Sequence, residues 1–303
     1  MLDEALLAAV AAVGREGSFE RAARVLHVTP SAVSQRVRLL EERIGAALIV
    51  RGQPCLPTEI GARLCRHAEL VSVLEAELRR ELPMLPHEPA DAPHASLRIA
   101  VNADSLGTWF VEAMADYARE STPFLSLTLD DEDHTVEWLR RGHVLGAVTS
   151  LRAPVQGCRS RRLGALRYVA TASPPFVRRW LSSGVTIEAL ARAPSLVFDR
   201  YDRLQAIWAR RHLRRDVQLP AHRLPSTRAF VDAALAGVGW GMNPEALVRD
   251  HLRSGALVEL LPQTPVDVPL YWQITRLQVP ALERLTQSVT RAAAAALIRD
   301  TSR

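Results

Sequence analysis

The chain has 303 residues, enough for two or three compact units that each bury a core of their own. Its composition, 48% hydrophobic, 23% charged and 5% aromatic, is typical of a soluble globular protein and excludes a disordered chain. The net charge is +5 and all 38 basic residues are arginine, which allows a polyanionic partner. Charge alone does not establish one, because residues 1–60 hold seven arginines and seven acids.

The N-terminus and the apolar runs bear on cellular location. Asp3 and Glu4 stand where a secretory signal would carry basic residues. No uninterrupted apolar run approaches the roughly 20 residues of a membrane span. These features predict a cytoplasmic protein without a membrane partner. The three cysteines lack the paired spacing of a zinc site or a disulfide framework. We therefore expect their thiols to be reduced and to have no functional role, and we expect no metal site.

Three short helices are predicted before residue 45. The first carries apolar residues at helical spacing and ends near Gly14 and Gly17. Ser18 is a good N-cap for the second, Phe19–Leu26. Thr29 can cap the third, whose first residue is Pro30, where a missing backbone N–H costs least. One face of this third helix is apolar and predicted to pack inward, through Val33, Val37, Leu40 and Ile44.

The opposite face of the third helix is polar, with residues at spacing i, i+3, i+4 and i+7: Ser31, Ser34, Gln35 and Arg38. It contains no carboxylate, because Glu41 and Glu42 begin only after it. Glutamine can pair with adenine, arginine with guanine, and first-turn N–H groups with a phosphate. We therefore predict a helix-turn-helix that reads the major groove of double-stranded DNA. A merely solvated polar face is the alternative.

A hairpin and a long helix are predicted next. Residues 48–58 form a short β-hairpin, or wing, which ends at the N-cap Thr58 and turns Arg51 towards a phosphate. A helix then runs to about Leu82 with apolar residues spaced four, three, four, three and four, interrupted only by His67. Two such helices would pair in a dimer and present two recognition helices to a two-fold DNA site. The predicted dimerisation residues are Ile60, Leu64, Val71, Leu74 and Leu78.

These segments resemble the signature of LysR-type transcriptional regulators. The matching motifs occur in order and with correct spacing: Ala22–Leu26, Ser31–Gln35, Leu40–Glu41, Gly45–Leu48, Arg51 and Pro57–Gly61. The resemblance implies a winged helix-turn-helix over 1–58, a dimerising linker helix over 59–82 and dimers that pair into tetramers. It also implies a nucleoid-associated protein, with RNA polymerase as a further candidate partner. The DNA-binding residues are predicted to be Thr29, Pro30, Ser31, Ser34, Gln35, Arg36, Arg38, Arg51, Pro57 and Thr58.

A second domain follows a proline-rich hinge, residues 83–95, in which His87 and His94 are expected to be solvated. Strands near 97–101, 125–129 and 145–150 alternate with helices near 108–119 and 135–141, which predicts βαβαβ order. The second half also alternates strands and helices. Its predicted strands lie at 168–172 and 195–199. Its predicted helices lie at 175–181, at 187–191, around Ile207 and at 227–236. We therefore predict an α/β effector-binding domain over 96–303 that resembles periplasmic binding proteins. Its lobes would span about 96–167 plus 271–303, and about 168–270.

Open α/β sheets bind ligands beyond the carboxyl ends of their strands, and there this sequence is acidic. Asp104 follows the first strand, Asp130–Asp133 the second, and Asp199 with Asp202 a later one. An acidic cleft suits a cationic ligand, while Ser105 and the adjacent helix N-terminus could hold a carboxylate. Lysine or arginine would satisfy both ends. Alternatively, these acids are solvated or pair with arginines such as Arg140 and Arg200.

Further stretches look like the branch of the family, of the ArgP/LysG kind, that controls lysine and arginine exporter genes: 101–106, 131–132, 146–148, 163–166, 198–199 and 271–272. Trp240 could form a wall of the cleft or simply pack in the core. The resemblance, the strand-end acids and Trp240 together give the predicted effector contacts. These are Asp104, Ser105, Asp131, Glu132, Thr149, Asp199, Asp202 and Trp240. Asp133 and His134 depart from the neutral-then-basic pair of that branch, which leaves the exact effector open.

Two other classes of function remain as alternatives. An enzyme could use the acidic cleft for acid–base chemistry, but the sequence has no nucleophile elbow, Walker loop, dinucleotide fingerprint or Cys/His metal spacing. We therefore predict no catalytic residue and no cofactor other than a small-molecule effector. A solute-binding protein would share the two-lobed architecture, but the N-terminal domain and the absence of a signal peptide argue against it.

Overall fold

The computed structural model describes residues 3–82, 84–85, 95–119, 123–129, 138–140, 143–277 and 279–299. The chain divides into two compact units. The first comprises Met1–Val101, Met114–Ser160 and Trp272–Ser288, and the second comprises Asn102–Ala113, Arg161–Tyr271 and Val289–Arg303. The predicted limits of the domains and lobes stay predictions, and most of the predicted hinge lies outside the described residues.

The first unit begins with helices α1 (Glu4–Glu16), α2 (Phe19–Val25) and α3 (Pro30–Ile44). The side chains of Ser18 and Thr29 accept backbone N–H groups of α2 and α3, so both predicted caps are confirmed. Gly14, expected to interrupt the first helix, lies inside α1. The helix ends instead at Gly17, whose φ of 64° is a left-handed conformation that glycine adopts without strain.

Buried apolar side chains join these helices into one core. The predicted inward face of α3 contributes Val33, Val37 and Leu40, all at most 2% exposed. They pack with Ala22 and Ala23 of α2 and with the apolar face of α1, as expected. The polar face of α3 is thereby left on the outside.

A short hairpin, β1 (Ile49–Val50) and β2 (Leu56–Pro57), forms the predicted wing. Glu41 of α3 holds its first strand, because one carboxylate oxygen accepts from the backbone N–H of Leu48 at 2.8 Å and of Ile49 at 3.3 Å. The hairpin ends at Thr58, which caps the next helix as predicted. The wing is therefore fixed to α3 by Glu41, the carboxylate that follows the polar face of this helix.

Helix α4 (Glu59–Glu81) has two unlike faces. One is buried within the first unit and consists of Gly61, Cys65, Val73 and Glu77. Gly61 is required there, because a Cβ atom would lie 1.9 Å from the carbonyl oxygen of Leu48. The other face carries three residues of the predicted dimer seam, with exposed fractions of 43% for Ile60, 46% for Leu74 and 48% for Leu78. The other two residues expected in the seam, Leu64 and Val71, are partly buried, and Leu64 packs against the core of the first three helices.

The first unit also contains β3 (Ser96–Val101), β4 (Phe124–Leu129) and β5 (Gly146–Thr149). These strands are parallel, with β3 between the other two, and the three strands of the predicted βαβαβ segment are confirmed. Helical structure follows β3 at once, through α5 (Ala103–Ser105), a π-helical turn (Leu106–Phe110) and α6 (Val111–Ala118). The predicted start near residue 108 was too late, and Asp104 and Ser105 lie in the first helical turn.

The second unit is built around β6 (Cys158–Ala172), with β9 (Gly241–Pro244) and β10 (Val258–Glu259) antiparallel to it. Its other elements are α7 (Pro174–Trp180), α8 (Ile187–Leu190), β7 (Ser195–Val197), α9 (Leu204–Leu213), β8 (Ala221–Arg223), α10 (Thr227–Leu235) and α11 (Glu245–Arg253). The last two elements of the chain are β11 (Val266–Thr275) and α12 (Pro280–Ala296).

Two sequence expectations about this half were incomplete. The strand predicted at 168–172 is only the end of β6, which has 15 residues. Its earlier part carries Arg159, Arg161 and Arg162, and such a charged run does not have the apolar alternation of a half-buried strand. No element was predicted after Gly241, although the apolar residues of α12 recur at helical spacing.

Within the described part of the chain, no helix is both long and apolar enough to cross a membrane. In the same residues, no three His, Cys, Asp or Glu side chains are grouped as metal ligands would be. Cys55, Cys65 and Cys158 are buried free thiols, and burial raises the pKa of Cys65 to about 11.

Candidate nucleic-acid interface and ligand site

Most of the predicted DNA-binding side chains lie on the outer surface of α3. Ser31, Gln35 and Arg38 are exposed, and Ser34 and Arg36 are partly buried. At the N-terminus of the helix, the exposed Thr29 and Pro30 continue this surface, and the hydroxyl oxygens of Thr29 and Ser31 lie 2.9 Å apart. Hydroxyl, amide and guanidinium groups therefore share one solvent-facing surface.

The end of this surface differs from the sequence expectation. Arg38 Nε donates to Glu42 Oε1 at 2.9 Å, and the two side chains are 78% and 58% exposed. The polar face is therefore not free of carboxylates, because Glu42 lies one turn beyond Arg38 on the same side of the helix. An exposed pair of this spacing contributes only about 0.3–0.5 kcal/mol, so a phosphate or a guanine can compete for Arg38.

The wing contributes the exposed Arg51, whose guanidinium carbon lies 5.3 Å from the centre of the Phe19 ring. Pro57 and Thr58, also predicted to touch DNA, are partly buried at the base of the hairpin. Pro57 pairs with Ile49, and the Thr58 hydroxyl donates to the Ala47 carbonyl at 2.8 Å. Both residues thus have a packing role, and their contact with DNA stays a prediction.

A polar cluster in the second unit is centred on Asp104. The Tyr168 hydroxyl donates to Asp104 Oδ2 at 2.7 Å, and the Thr227 hydroxyl donates to Asp104 Oδ1 at 2.8 Å. Three elements meet here, because Asp104 is on α5, Tyr168 is on β6 and Thr227 is the first residue of α10. Sequence reasoning missed both partners. Thr227 follows the N-cap Ser226, and that helix start was the one signal that could have indicated it.

Asp199 and Asp202 organise the turn between β7 and α9. Asp202 accepts from the backbone N–H of Phe198 at 2.9 Å and of Leu204 at 3.0 Å. One oxygen of Asp199 accepts from the N–H of Tyr201 at 2.6 Å and of Asp202 at 2.9 Å. These bonds fix the direction of both carboxylates.

The charges of these acids act on one another. Burial raises the pKa of Asp104, hydrogen bonds from Tyr168 and Thr227 oppose this, and the negative charge of Asp202 raises it further. Burial also raises the pKa of Asp202, against its hydrogen bonds and with a further contribution from Asp199. Among the described residues, none of these three carboxylates forms an ion pair. Arg200, one suggested partner, stacks instead over Tyr201 at 4.5 Å.

Several buried polar atoms in the same unit lack a hydrogen-bond partner among the described residues: Asn102 Oδ1, Ser105 Oγ, Ser173 Oγ, Gln205 Oε1 and Asn243 Oδ1. Ser105 is fully buried, and Gln205 follows Asp202 by one helical turn. Buried polar groups are nearly always satisfied in proteins, so such atoms are expected to bind either ordered water or a ligand. Hydroxyls can donate to a carboxylate, and amide oxygens can accept from an ammonium or a guanidinium.

The remaining predicted effector contacts lie elsewhere. Asp131 and Glu132 are outside the described residues. Thr149 is buried at the end of β5 in the first unit, where its hydroxyl accepts from the Leu151 N–H at 3.2 Å. Trp240 is fully buried against Trp208, with ring centres 5.3 Å apart, so its packing role is evident and an effector contact stays a prediction.

Two protein-family models match the chain. The one described as "Bacterial regulatory helix-turn-helix protein, lysR family" matches residues 5–62, and "LysR substrate binding domain" matches residues 90–294. The HTH-type transcriptional regulator LysG of Mycobacterium tuberculosis (strain ATCC 25618 / H37Rv) is 45% identical over 302 residues, which cover 100% of this chain and 97% of that protein. ArgP of Pseudomonas fluorescens (strain Pf0-1) is 44% identical over 298 residues, covering 98% and 99%.

Solved structures show the same likeness over the whole chain. The crystal structure of ArgP from Mycobacterium tuberculosis has a TM-score of 0.81 at 43% identity and covers 99% of this chain and 100% of that one. Full-length LysG from Corynebacterium glutamicum with bound effector Arg has a TM-score of 0.72 at 36% identity, covering 98% and 100%.

Proposed function

Because this chain belongs to the LysR family of bacterial transcriptional regulators, we propose that the α3 surface and the wing bind a two-fold DNA site while the Asp104 cluster binds arginine or lysine. Membership of the family makes the chain a DNA-binding regulator that responds to a small effector, and not an enzyme. What the proposal adds is the chemistry of the effector and the residues that contact each partner.

The observation that carries the effector proposal is a set of negative charges that have no countercharge among the residues that the structure describes. The charge of Asp202 raises the pKa of Asp104, the charge of Asp199 raises the pKa of Asp202, and burial raises both pKa values. A bound guanidinium or ammonium group would supply the missing positive charge and form charge-assisted hydrogen bonds, which are stronger than neutral ones. The unsatisfied Ser105 hydroxyl is available to donate to the carboxylate of the same amino acid. The LysG relative with bound Arg supports this choice of ligand.

The DNA proposal rests on the exposed polar face of α3 together with the unpaired seam of α4. Ile60, Leu74 and Leu78 of this seam are close to half exposed, which is costly in water, and a second copy of α4 would cover them. A dimer would then present two recognition helices to one duplex. We extend the proposal to pairing of dimers into tetramers, contact with RNA polymerase and control of an amino-acid exporter gene in the cytoplasm. Effector binding would act by shifting the population of DNA-binding states.

Isothermal titration with arginine, lysine and citrulline tests the effector proposal. Citrulline has nearly the shape of arginine but carries an uncharged urea group, so it isolates the contribution of the positive charge. We expect arginine or lysine to bind and citrulline to bind at least about tenfold more weakly, as the loss of a charged hydrogen bond predicts. Asp104→Asn should weaken arginine binding by a similar factor. Equal binding of citrulline and arginine would contradict the proposal.

A further inference from the structure

The wing and the turn between α1 and α2 enclose a groove of about 570 Å³ on the outside of the DNA-binding region, lined by residues 17–21 and 51–55. The two sides of the groove are tied together, because the Cys55 N–H donates to the Gly17 carbonyl oxygen at 2.9 Å. The position of the wing is therefore set relative to the first residue of α2, which is Phe19.

Phe19 has two different environments. It packs against the apolar core of the three helices, which fixes the ring. The guanidinium of Arg51 lies over this ring, 5.3 Å from its centre, within the range of a cation–π interaction. A long flexible side chain on an exposed hairpin is thereby given a preferred position without neutralisation of its charge.

A carboxylate lies in the same groove but is held away from this arginine. Glu20 accepts from the Ser18 hydroxyl at 2.6 Å, and this hydrogen bond lowers its pKa. Among residues 3–82, no acidic side chain forms an ion pair with Arg51. The guanidinium is therefore oriented by an aromatic ring and still has its N–H groups available for an anion.

We propose that Phe19 is a positioning residue for DNA binding, which holds Arg51 in the orientation that contacts a backbone phosphate. The inference rests on the proposed function, in which Arg51 of the wing contacts DNA. A phosphate is the anion that this arginine would meet on a duplex, and ordering its guanidinium in advance reduces the entropy lost on binding. Phe19 itself touches no DNA in this proposal.

A four-protein cycle tests the inference: the unaltered full chain, Phe19→Leu, Arg51→Gln and the double variant. Fluorescence anisotropy would follow binding to a duplex that the unaltered protein selects from a random library, over a range of salt concentrations. We expect Phe19→Leu to weaken binding about threefold, as an exposed cation–π contact predicts. Arg51→Gln should weaken binding more and lower the salt slope by about one. In the Arg51→Gln background, Phe19→Leu should have no further effect.

Equal weakening by Phe19→Leu in both backgrounds would overturn the inference, because the ring would then act through the fold and not through Arg51. Phe19→Tyr, which keeps the aromatic face, should bind DNA like the unaltered protein. Phe19→Met keeps apolar volume without that face and serves as a second test if Phe19→Leu does not fold, as judged by circular dichroism. If Arg51→Gln changes neither affinity nor salt slope, the proposed DNA contact of the wing is itself wrong, and the inference fails with it.

Discussion

The α3 surface and the Asp104 cluster both carry the polar side chains that a function requires, but their electrostatic states are opposite. On α3, Gln35 and Arg38 are exposed, and the one ion pair, with Glu42, can exchange with water at little cost. In the Asp104 cluster, burial raises the pKa values of Asp104 and Asp202. The proposed DNA surface can remain exposed in this way without destabilising the fold. At the proposed effector site, burial of the carboxylates has an unfavourable free energy, which hydrogen bonds reduce and a bound cation would reduce further.

This contrast separates the effects of mutation in the two regions. Changes on the α3 surface should alter DNA affinity and leave the free energy of unfolding nearly unchanged. Changes at the acidic cluster should alter stability and effector affinity in opposite directions, because the same uncompensated charge that attracts the ligand opposes folding.

The largest effect is expected from Leu78→Glu, which tests whether two DNA surfaces act as a pair. A charge on the exposed seam of α4 would have to be buried against a second copy, which is unfavourable without a partner. In light scattering, the molar mass of the protein should fall to half that of the unaltered protein, because pairing through α4 is lost. Its affinity for a two-fold site should fall by about 100-fold or more, because the second half-site no longer benefits from a high effective concentration.

A matched control for this variant is Ile207→Glu, which places the same charge on an apolar side chain that is 44% exposed on α9. It should leave both the oligomeric state and the DNA affinity unchanged. A Leu78→Glu protein that kept the molar mass of the unaltered protein would show that the seam does not hold two chains together.

Interactions between residues close together in the sequence could be predicted, whereas those between residues far apart in the sequence could not. Ser18, Thr29 and Thr58 were predicted as caps because each accepts a backbone N–H only three positions along the chain. Asp104 could be proposed as a site residue because it follows a strand. Its partners Tyr168 and Thr227 are 64 and 123 positions away, and no local pattern connects them.

A buried ion pair illustrates the same limit within the first unit. The two carboxylate oxygens of Glu77 accept from the guanidinium of Arg284, 207 positions later, at 3.0 and 2.5 Å. Nothing in the local sequence of α4 distinguishes Glu77 from the other charged residues of this helix. Only the tertiary structure shows that α4 uses one face for this contact within the chain and exposes the other.

The next effect concerns pH and Asp104→Asn. Since burial raises the pKa of Asp104, its ionised form opposes folding at neutral pH. This destabilisation decreases as the pH falls through the raised pKa, and it is absent below the pKa that the same carboxyl has in the unfolded chain. The asparagine amide can still form hydrogen bonds with Tyr168 and Thr227. The variant should therefore melt at a higher temperature than the unaltered protein at neutral pH, with a difference that shrinks in acid.

Effector affinity should show the opposite dependence. In the unaltered protein, protons compete with arginine for Asp104 and Asp202, so the affinity measured by titration calorimetry should fall as the pH drops through their raised pKa values. Asp104→Asn should flatten this dependence. A variant that is less stable than the unaltered protein at neutral pH would mean that the charge of Asp104 is already compensated.

The smallest effect is expected from Glu42→Gln, which sharpens the contrast from the DNA side. Removing this carboxylate frees Arg38 from its exposed ion pair and removes a negative charge from the recognition surface, so DNA affinity should rise about two- to threefold, with no change in melting temperature. Glu59→Gln is the matched control, because Glu59 forms an equally exposed pair with Arg63 on α4. If both substitutions raised the affinity equally, the gain would come from net charge alone, whereas a gain confined to Glu42→Gln would locate the phosphate or base contact at Arg38.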